Sequence, residues 1–124
     1  MDDDEKTTIT ALKAAMQKFV SERNWEAFHV PKNLSLSIAI EAAEIMELYQ
    51  WLTPEEALDV SLNDPEFREK VSDEIADVFL YLISLANVLG IDMSQSVIKK
   101  LAKNRLKYPK GQTSTTWKSG QKVR

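Results

Sequence analysis

Two long stretches, residues 34–52 and 71–89, do most to limit how this 124-residue chain can fold. Neither contains proline, glycine, lysine or arginine, and both repeat apolar residues at a spacing of three or four. That spacing is typical of helices, whereas the alternation typical of strands is absent. Both stretches also carry apolar residues on more than one face, which is more than one small domain can bury in its own core. The sequence therefore predicts an all-α domain that forms an oligomer.

Capping residues divide the chain into four main helices and one short one. Thr8 can cap a first helix from Ile9 to about Trp25, and residues 24–32 then form a loop before the helix at 34–52. A polar residue before proline, or a glycine, marks the other boundaries. These signals are Thr53-Pro54-Glu55-Glu56 for the short helix, Asp64-Pro65 and Gly90 for the two ends of the next, and Asp92, Gln95 and Pro109 for the last.

The two ends of the chain lack this pattern. Residues 1–7 are predicted to be disordered, residues 8–109 to form one helical domain, and residues 110–124 to be a flexible basic tail. The absence of cysteine excludes disulfides, thiolate metal sites and a cysteine nucleophile. The acidic N-terminus and the lack of a membrane-length apolar run predict a cytoplasmic protein without a membrane partner. The basic tail, without a larger basic face, does not predict binding of nucleic acid.

Pairs of acidic residues interrupt the apolar stripe of both long helices. The stripe of the first reads Ser37, Glu41, Glu44, Leu48 and Trp51, and that of the second reads Glu74, Asp77, Tyr81, Leu85 and Val88. Carboxylates on a core-facing stripe are costly unless they are protonated, paired with a base or bound to a cation. Because residues 34–52 and 71–89 contain no lysine or arginine, a bound cation is the most economical explanation.

Two other interpretations of these acids compete. They could be solvated surface residues of helices whose faces are assigned wrongly, and a single pair would favour that interpretation. Two pairs, both in phase with an apolar stripe, favour a metal site instead. A di-iron carboxylate bundle needs a Glu-x-x-His motif on each of two helices, but the one histidine, His29, lies in the predicted loop. Oxygen ligands without cysteine suit a hard cation, Mg²⁺ or Mn²⁺.

Donor groups and aromatic rings supply further candidates for a binding site. Lys100, Asn104 and Tyr108 recur once per turn on the last helix and could bind phosphate oxygens. The simpler explanation is a cationic helix end that complements the helix dipole. Flat side chains near the acids could stack on a base, although such residues are usually core packing. The aromatic candidates are Trp25, Trp51 and Tyr81, with His29 in the same loop as Trp25.

Four segments of the chain resemble the MazG-like nucleotide pyrophosphohydrolases, and within them the dCTP pyrophosphatase branch: residues 23–34, 41–51, 73–78 and 104–109. The resemblance implies four main helices per protomer that form an intersubunit four-helix bundle, as a homodimer or homotetramer with active sites between chains. It implies hydrolysis of a nucleoside triphosphate to its monophosphate and pyrophosphate, a house-cleaning reaction of the nucleotide pool. The implied cofactor is Mg²⁺, with Mn²⁺ as a substitute.

The resemblance also implies roles for individual residues. The metal-binding and catalytic acids are implied to be Glu41, Glu44, Glu74 and Asp77. The nucleotide pocket is implied to contain Trp25, His29, Trp51 and Tyr81, and the phosphate contacts to be Lys100, Asn104 and Tyr108. Met16 stands where cytosine-preferring animal members have a histidine. Many MazG-like members have a further acid directly before the first glutamate, whereas this chain has Ile40 there and so resembles the dCTP pyrophosphatase branch. Base preference therefore stays open.

Several functional alternatives remain at this point. The catalytic base is expected to be Glu41 or Glu44, and the sequence does not choose between them. A regulatory module could keep the helical bundle and bind nucleotides without hydrolysing them, but the intact acid pairs argue against this alternative. A helical oligomerisation domain without any ligand is the third possibility.

Overall fold

The computed structural model describes residues 3–111, and within that range it contains helices and no strands. This confirms the all-α prediction, with four longer helices and one short one. The helices are α1 (Ile9–Glu22), α2 (Pro31–Tyr49), α3 (Pro54–Asn63), α4 (Pro65–Leu89) and α5 (Met93–Lys107). The chain divides into two compact units, Met1–Ile91 and Asp92–Arg124, so that α1 to α4 belong to the first unit and α5 to the second.

The predicted capping residues are confirmed at most helix ends. Thr8 Oγ1 accepts the backbone N–H of Ala11, and Thr53 forms a capping box with Glu56. These side chains satisfy N–H groups that the first turn of a helix leaves without partners. Gly90 ends α4 with φ of 65°, a left-handed conformation that glycine adopts without strain. The further N-caps are Asp64 for α4 and Asp92, which accepts the N–H of Gln95, for α5.

Three predicted boundaries are wrong by about three residues each. The first helix ends at Glu22 and not near Trp25, because Asn24 takes the left-handed conformation at φ of 55° and turns the chain out of the helix. The second helix begins at Pro31, which fits its first turn because that position needs no N–H donor. It ends at Tyr49, since Thr53 must be extended to cap α3. The loop between α1 and α2 therefore consists of residues 23–30 and not of the predicted residues 24–32.

The core of the first unit forms around α4. That helix packs against α1, α2 and α3 and contributes the buried residues Ile83 and Ala86, while α1 and α2 contribute the buried residues Met16, Val20 and Leu34. Many apolar side chains nevertheless stay exposed in the single chain. They include Leu36, Ile40 and Met46 on α2 and Ile75, Phe79 and Leu82 on α4. The surplus apolar surface inferred from the sequence is thus present.

The predicted terminal segments lie partly beyond the described residues. Residues 3–7 form a turn in which the N–H groups of Lys6 and Thr7 donate to the carbonyl of Asp3. The predicted basic tail lies outside the described residues from position 112 onward. Among residues 3–111, no single helix has the length and apolar character needed to cross a membrane, and α4 and α5 meet that test only when counted together as one interrupted span.

Candidate metal centre and aromatic row

Three carboxylates from two packed helices converge in the first unit. Glu41 and Glu44 are three residues apart on α2 and so share a face, and α2 packs against α4, which carries Glu74. Each of the three offers a carboxylate oxygen that lies within 4.8 Å of the other two. Asp77 lies outside this triad, but its charge acts on both Glu41 and Glu74. The structure thus brings together three of the four predicted acids and keeps the fourth nearby.

The clustered acids raise each other's affinity for protons. The pKa of Glu41 rises from 4.5 to about 7, first through burial, then through hydrogen bonding with Glu44 and repulsion by its acidic neighbours. The pKa of Glu74 also rises, with hydrogen bonding to Glu44 as the largest cause, followed by burial and by repulsion from Glu44 and Asp77. Both shifts show that several negative charges are held together without a compensating positive charge.

The cluster has oxygen atoms free to bind a cation. Oε2 of Glu41 and Oε2 of Glu74 are buried, and neither has a hydrogen-bond partner within residues 3–111. Buried carboxylate oxygens without partners are costly, and no basic group is among the causes that shift the pKa of Glu41 or Glu74. An all-oxygen donor set with no cysteine and no histidine is the chemistry that hard divalent cations prefer. The residues present therefore fit a metal site.

A row of aromatic rings approaches α4 from the loop between α1 and α2. The ring centroid of Trp25 lies 6.4 Å from that of His29, with nearly parallel planes, and the ring of His29 lies 6.3 Å from that of Tyr81. Tyr81 is one helical turn beyond Asp77 on α4, so the row reaches the helix next to the acids. The structure also adds Phe19, a ring not singled out from the sequence. Its centroid lies 5.8 Å from that of Trp25 in an edge-to-face arrangement.

Other predicted site residues do not join this row. Trp51 follows α2 and is 86% exposed, with no ring contact within residues 3–111. Lys100, Asn104 and Tyr108 belong to the second unit, on one face of α5 and at its end. There the N–H of Tyr108 donates to the carbonyl of Asn104 at 2.7 Å. The phosphate-binding roles of these three residues stay predictions.

A cavity that sequence reasoning missed lies between α1, α4 and the loop that carries His29, with a volume of about 250 Å³. We call it the α1–α4 cavity. Its walls are Gln17, Val20, Ser21, Glu26, His29, Ser84, Asn87 and Val88. Most of these side chains are polar, although the helix faces around them are apolar. A lone serine or asparagine in a helix has no periodic pattern, so this cavity could not be predicted from the sequence.

The comparisons with known proteins agree with this geometry. The chain matches the MazG-like family over residues 36–122. It is 35% identical to dCTP pyrophosphatase 1 of Bos taurus and 36% identical to that of Mus musculus. Each alignment extends over 102 residues and covers 82% of this chain. The chain spans about 60% of the length of these curated relatives.

A solved structure supports the same relationship. The crystal structure of a pyrophosphatase from Archaeoglobus fulgidus DSM 4304 superposes with a TM-score of 0.77 at 35% identity, covering 89% of this chain and 100% of that one. With the family match extending over most of the chain, the fold and the sequence point the same way. The chain belongs to the MazG-like family.

Proposed function

We propose that this protein hydrolyses nucleoside triphosphates to the monophosphate and pyrophosphate, with Mg²⁺ as the cofactor. The observation that carries the proposal is the triad of Glu41, Glu44 and Glu74, with its unpartnered oxygens, two helical turns along α4 from Tyr81 of the aromatic row. The similar proteins named dCTP pyrophosphatase 1 and the similar structure of a pyrophosphatase support the same reaction class. dCTP is therefore the first substrate to examine.

In this proposal the four acids bind the metal ion, and one of them also acts as the general base. Glu41, Glu44, Glu74 and Asp77 would hold Mg²⁺, or Mn²⁺ as a substitute, which when bound supplies positive charge against the phosphates and acidifies a bound water. Glu41 or Glu44 accepts the proton of the water that attacks the α-phosphorus, and pyrophosphate leaves.

The aromatic row provides a binding surface for the base of the nucleotide. Trp25 and Tyr81 flank His29, and rings at this spacing offer flat apolar faces on which a base can stack. Trp51 is proposed to join this surface once a second chain covers it. Lys100, Asn104 and Tyr108 are proposed to contact the phosphates, because an ammonium and an amide on one helix face can donate to several phosphate oxygens.

The functional form is proposed to be a homodimer or homotetramer. Exposed apolar residues on α2 and α4 support this, because a stable monomer rarely keeps so much apolar surface in contact with water. Free nucleotides, and neither nucleic acid nor a membrane, are the proposed partners. We propose that the protein acts in the cytoplasm, where the nucleoside triphosphate pool is found.

Product analysis across a nucleotide panel tests this function. Each of the common dNTPs and NTPs is incubated with the protein in Mg²⁺ and, in parallel, with a chelator, and pyrophosphate and orthophosphate are measured separately. The proposal predicts pyrophosphate with monophosphate, only when Mg²⁺ is present. Tight nucleotide binding without any product would instead favour the regulatory module. Orthophosphate as the product would show that water attacks a different phosphorus.

A further inference from the structure

Ser84 is an unusual residue at the centre of the first unit. Its side chain is 3% exposed, and its Oγ has no hydrogen-bond partner within residues 3–111. Its neighbours on α4, Ile83 and Ala86, are buried apolar residues, so a small apolar side chain would fit this environment better. A buried hydroxyl without a partner lowers stability, which calls for an explanation other than packing.

A second buried polar atom belongs to a residue that lines the same cavity as Ser84. Nδ1 of His29 is also buried without a hydrogen-bond partner in the described part of the chain, and His29 and Ser84 both line the α1–α4 cavity. Asn87 lines it as well, and its amide is fixed by donation from Nδ2 to the carbonyl of Lys13 at 3.0 Å. Unsatisfied polar atoms around one cavity are typical of a site whose hydrogen bonds are completed by a ligand.

The position of the cavity relative to the acids limits what that ligand can be. Ser84 lies seven residues after Asp77, which is two helical turns along the same face of α4 and about 10 Å along its axis. Tyr81 lies between them, in ring contact with His29. A ligand that reaches from the acids past Tyr81 to Ser84 has a charged end, a flat ring and a polar edge. A nucleotide has all three in that order.

We propose that the α1–α4 cavity receives the hydrogen-bonding edge of the nucleobase, and that Ser84 contacts this edge and determines which base is preferred. The inference rests on the proposed function, because it takes the acids as the phosphate end of the site. A serine hydroxyl both donates and accepts, and the side chains of Asn87 and Gln17 offer both kinds of group as well. Such a wall distinguishes bases by the pattern of amino and carbonyl groups on their edges.

Kinetics with matched variants test the role of Ser84. Ser84→Ala is compared with Ser72→Ala, which removes an exposed hydroxyl from the same helix. The values of kcat/KM are measured for the four common dNTPs. Relative to wild type, Ser84→Ala should lower kcat/KM roughly 10- to 100-fold for the dNTP that wild type prefers, and much less for the other three. The base ranking thus becomes flatter, while Ser72→Ala keeps the wild-type ranking. A loss that is equal for all four bases, or no loss, would overturn the proposal.

Binding of free nucleosides separates this inference from the proposed reaction. Ligand-observed NMR with each of the four deoxynucleosides, in chelator, measures base binding without phosphate or metal. Wild type and Glu74→Gln should bind the same nucleoside, and Ser84→Ala should lose that preference. If wild type hydrolyses no nucleotide but this preference depends on Ser84, the reaction is wrong and the cavity assignment stands. If wild type hydrolyses nucleotides but Ser84→Ala binds nucleosides as wild type does, the cavity assignment is wrong.

Folding does not obscure these outcomes. Removing a buried hydroxyl that has no partner should leave the thermal midpoint of the metal-free protein unchanged or slightly higher. A clearly lower midpoint for Ser84→Ala would mean that the hydroxyl stabilises the native fold, and this would contradict its assignment as a ligand contact.

Discussion

Glu41 on α2 and Glu74 on α4 hold carboxylate oxygens within 4.8 Å of each other, and Oε2 of each is buried without a hydrogen-bond partner in the described structure. Like charges at this separation in a partly buried site destabilise one another. A divalent cation removes that repulsion and uses the free oxygens. The pair is therefore the place where stability, metal binding and catalysis are expected to be coupled.

Loss of one carboxylate of the cluster should lower activity without lowering stability. Glu74→Gln removes a proposed metal ligand and one of the repelling charges, so activity with Mg²⁺ should drop on the order of 10²-fold or more. The thermal midpoint of the variant in chelator should equal or exceed that of wild type. Steady-state kinetics and thermal denaturation measure the two effects.

Glu69→Gln is the matched control for that variant, because Glu69 is an exposed glutamate on the same helix. It should change neither activity nor the stabilisation that Mg²⁺ gives. Near-normal turnover by Glu74→Gln would mean that the cluster is not the metal site.

The raised pKa of Glu41 predicts how stability depends on pH in the absence of metal. Because its pKa rises from 4.5 to about 7 in the folded state, the folded protein holds a proton that the unfolded chain has lost between these values. The stabilising contribution is complete below about pH 4.5 and is lost as the pH rises through about 7. Thermal midpoints of wild type in chelator should therefore decrease, relative to Glu41→Gln, between pH 5 and about 8.

Mg²⁺ should reverse this trend, since metal ligands must be deprotonated and affinity for the cation rises with pH. Glu47→Gln, an exposed glutamate of α2, serves as the control and should follow wild type at every pH. A wild-type curve parallel to that of Glu41→Gln in chelator would contradict the shifted pKa.

The aromatic row predicts a loss of substrate affinity when a ring is removed. Trp25→Ala deletes the ring stacked beside His29, and stacking of one base on one aromatic side chain contributes about 1–3 kcal/mol. The KM for the best substrate should rise roughly 10- to 100-fold, with a smaller change in kcat. Phe28→Ala is the control, because Phe28 lies in the same loop and is largely exposed. Equal effects of both substitutions on KM would mean that the aromatic row is not part of the binding site.

The exposed apolar face of α4 predicts that the protein is an oligomer. Leu82 is 38% exposed and lies on one helix face with Ile75 and Phe79. Leu82→Glu places a charge in the proposed interface, where burial of an unpaired carboxylate is strongly unfavourable. Light scattering after size exclusion should show a smaller species than wild type. Leu62→Glu on α3, also at an exposed leucine, should leave the mass unchanged. A Leu82→Glu protein with the wild-type mass would contradict this interface.

Local chemistry explains which parts of the fold could be predicted from the sequence. N-caps such as Thr53 and the terminal Gly90 satisfy backbone groups within a few residues, so the sequence alone identifies them. The end of α1 depends on the left-handed Asn24 and could not be identified, because asparagine adopts that conformation only where the surrounding structure favours it. The predicted end of α1 was therefore wrong because it depends on a conformation that the local sequence does not determine.

The candidate site could likewise be predicted only in part from the sequence. The spacing of Glu41 and Glu44 on an apolar stripe predicts that both face the core, and the structure brings them to Glu74. How α1 crosses α4 is not encoded in any single helix pattern, so the α1–α4 cavity and the role of Ser84 become visible only in the structure. Trp51 carries the same kind of side chain as Trp25 but lies apart from the row, which the sequence could not distinguish.

The position of the attacking water is the most direct test of the proposed reaction. The protein is incubated with dCTP and Mg²⁺ in ¹⁸O-labelled water, and the products are examined by ³¹P NMR, in which ¹⁸O shifts the signal of the phosphorus that carries it. Attack at the α-phosphorus predicts ¹⁸O in dCMP, unlabelled pyrophosphate and no reaction in chelator. Label in pyrophosphate or orthophosphate would place the attack at a different phosphorus, and product formed in chelator would contradict the metal site at Glu41, Glu44 and Glu74.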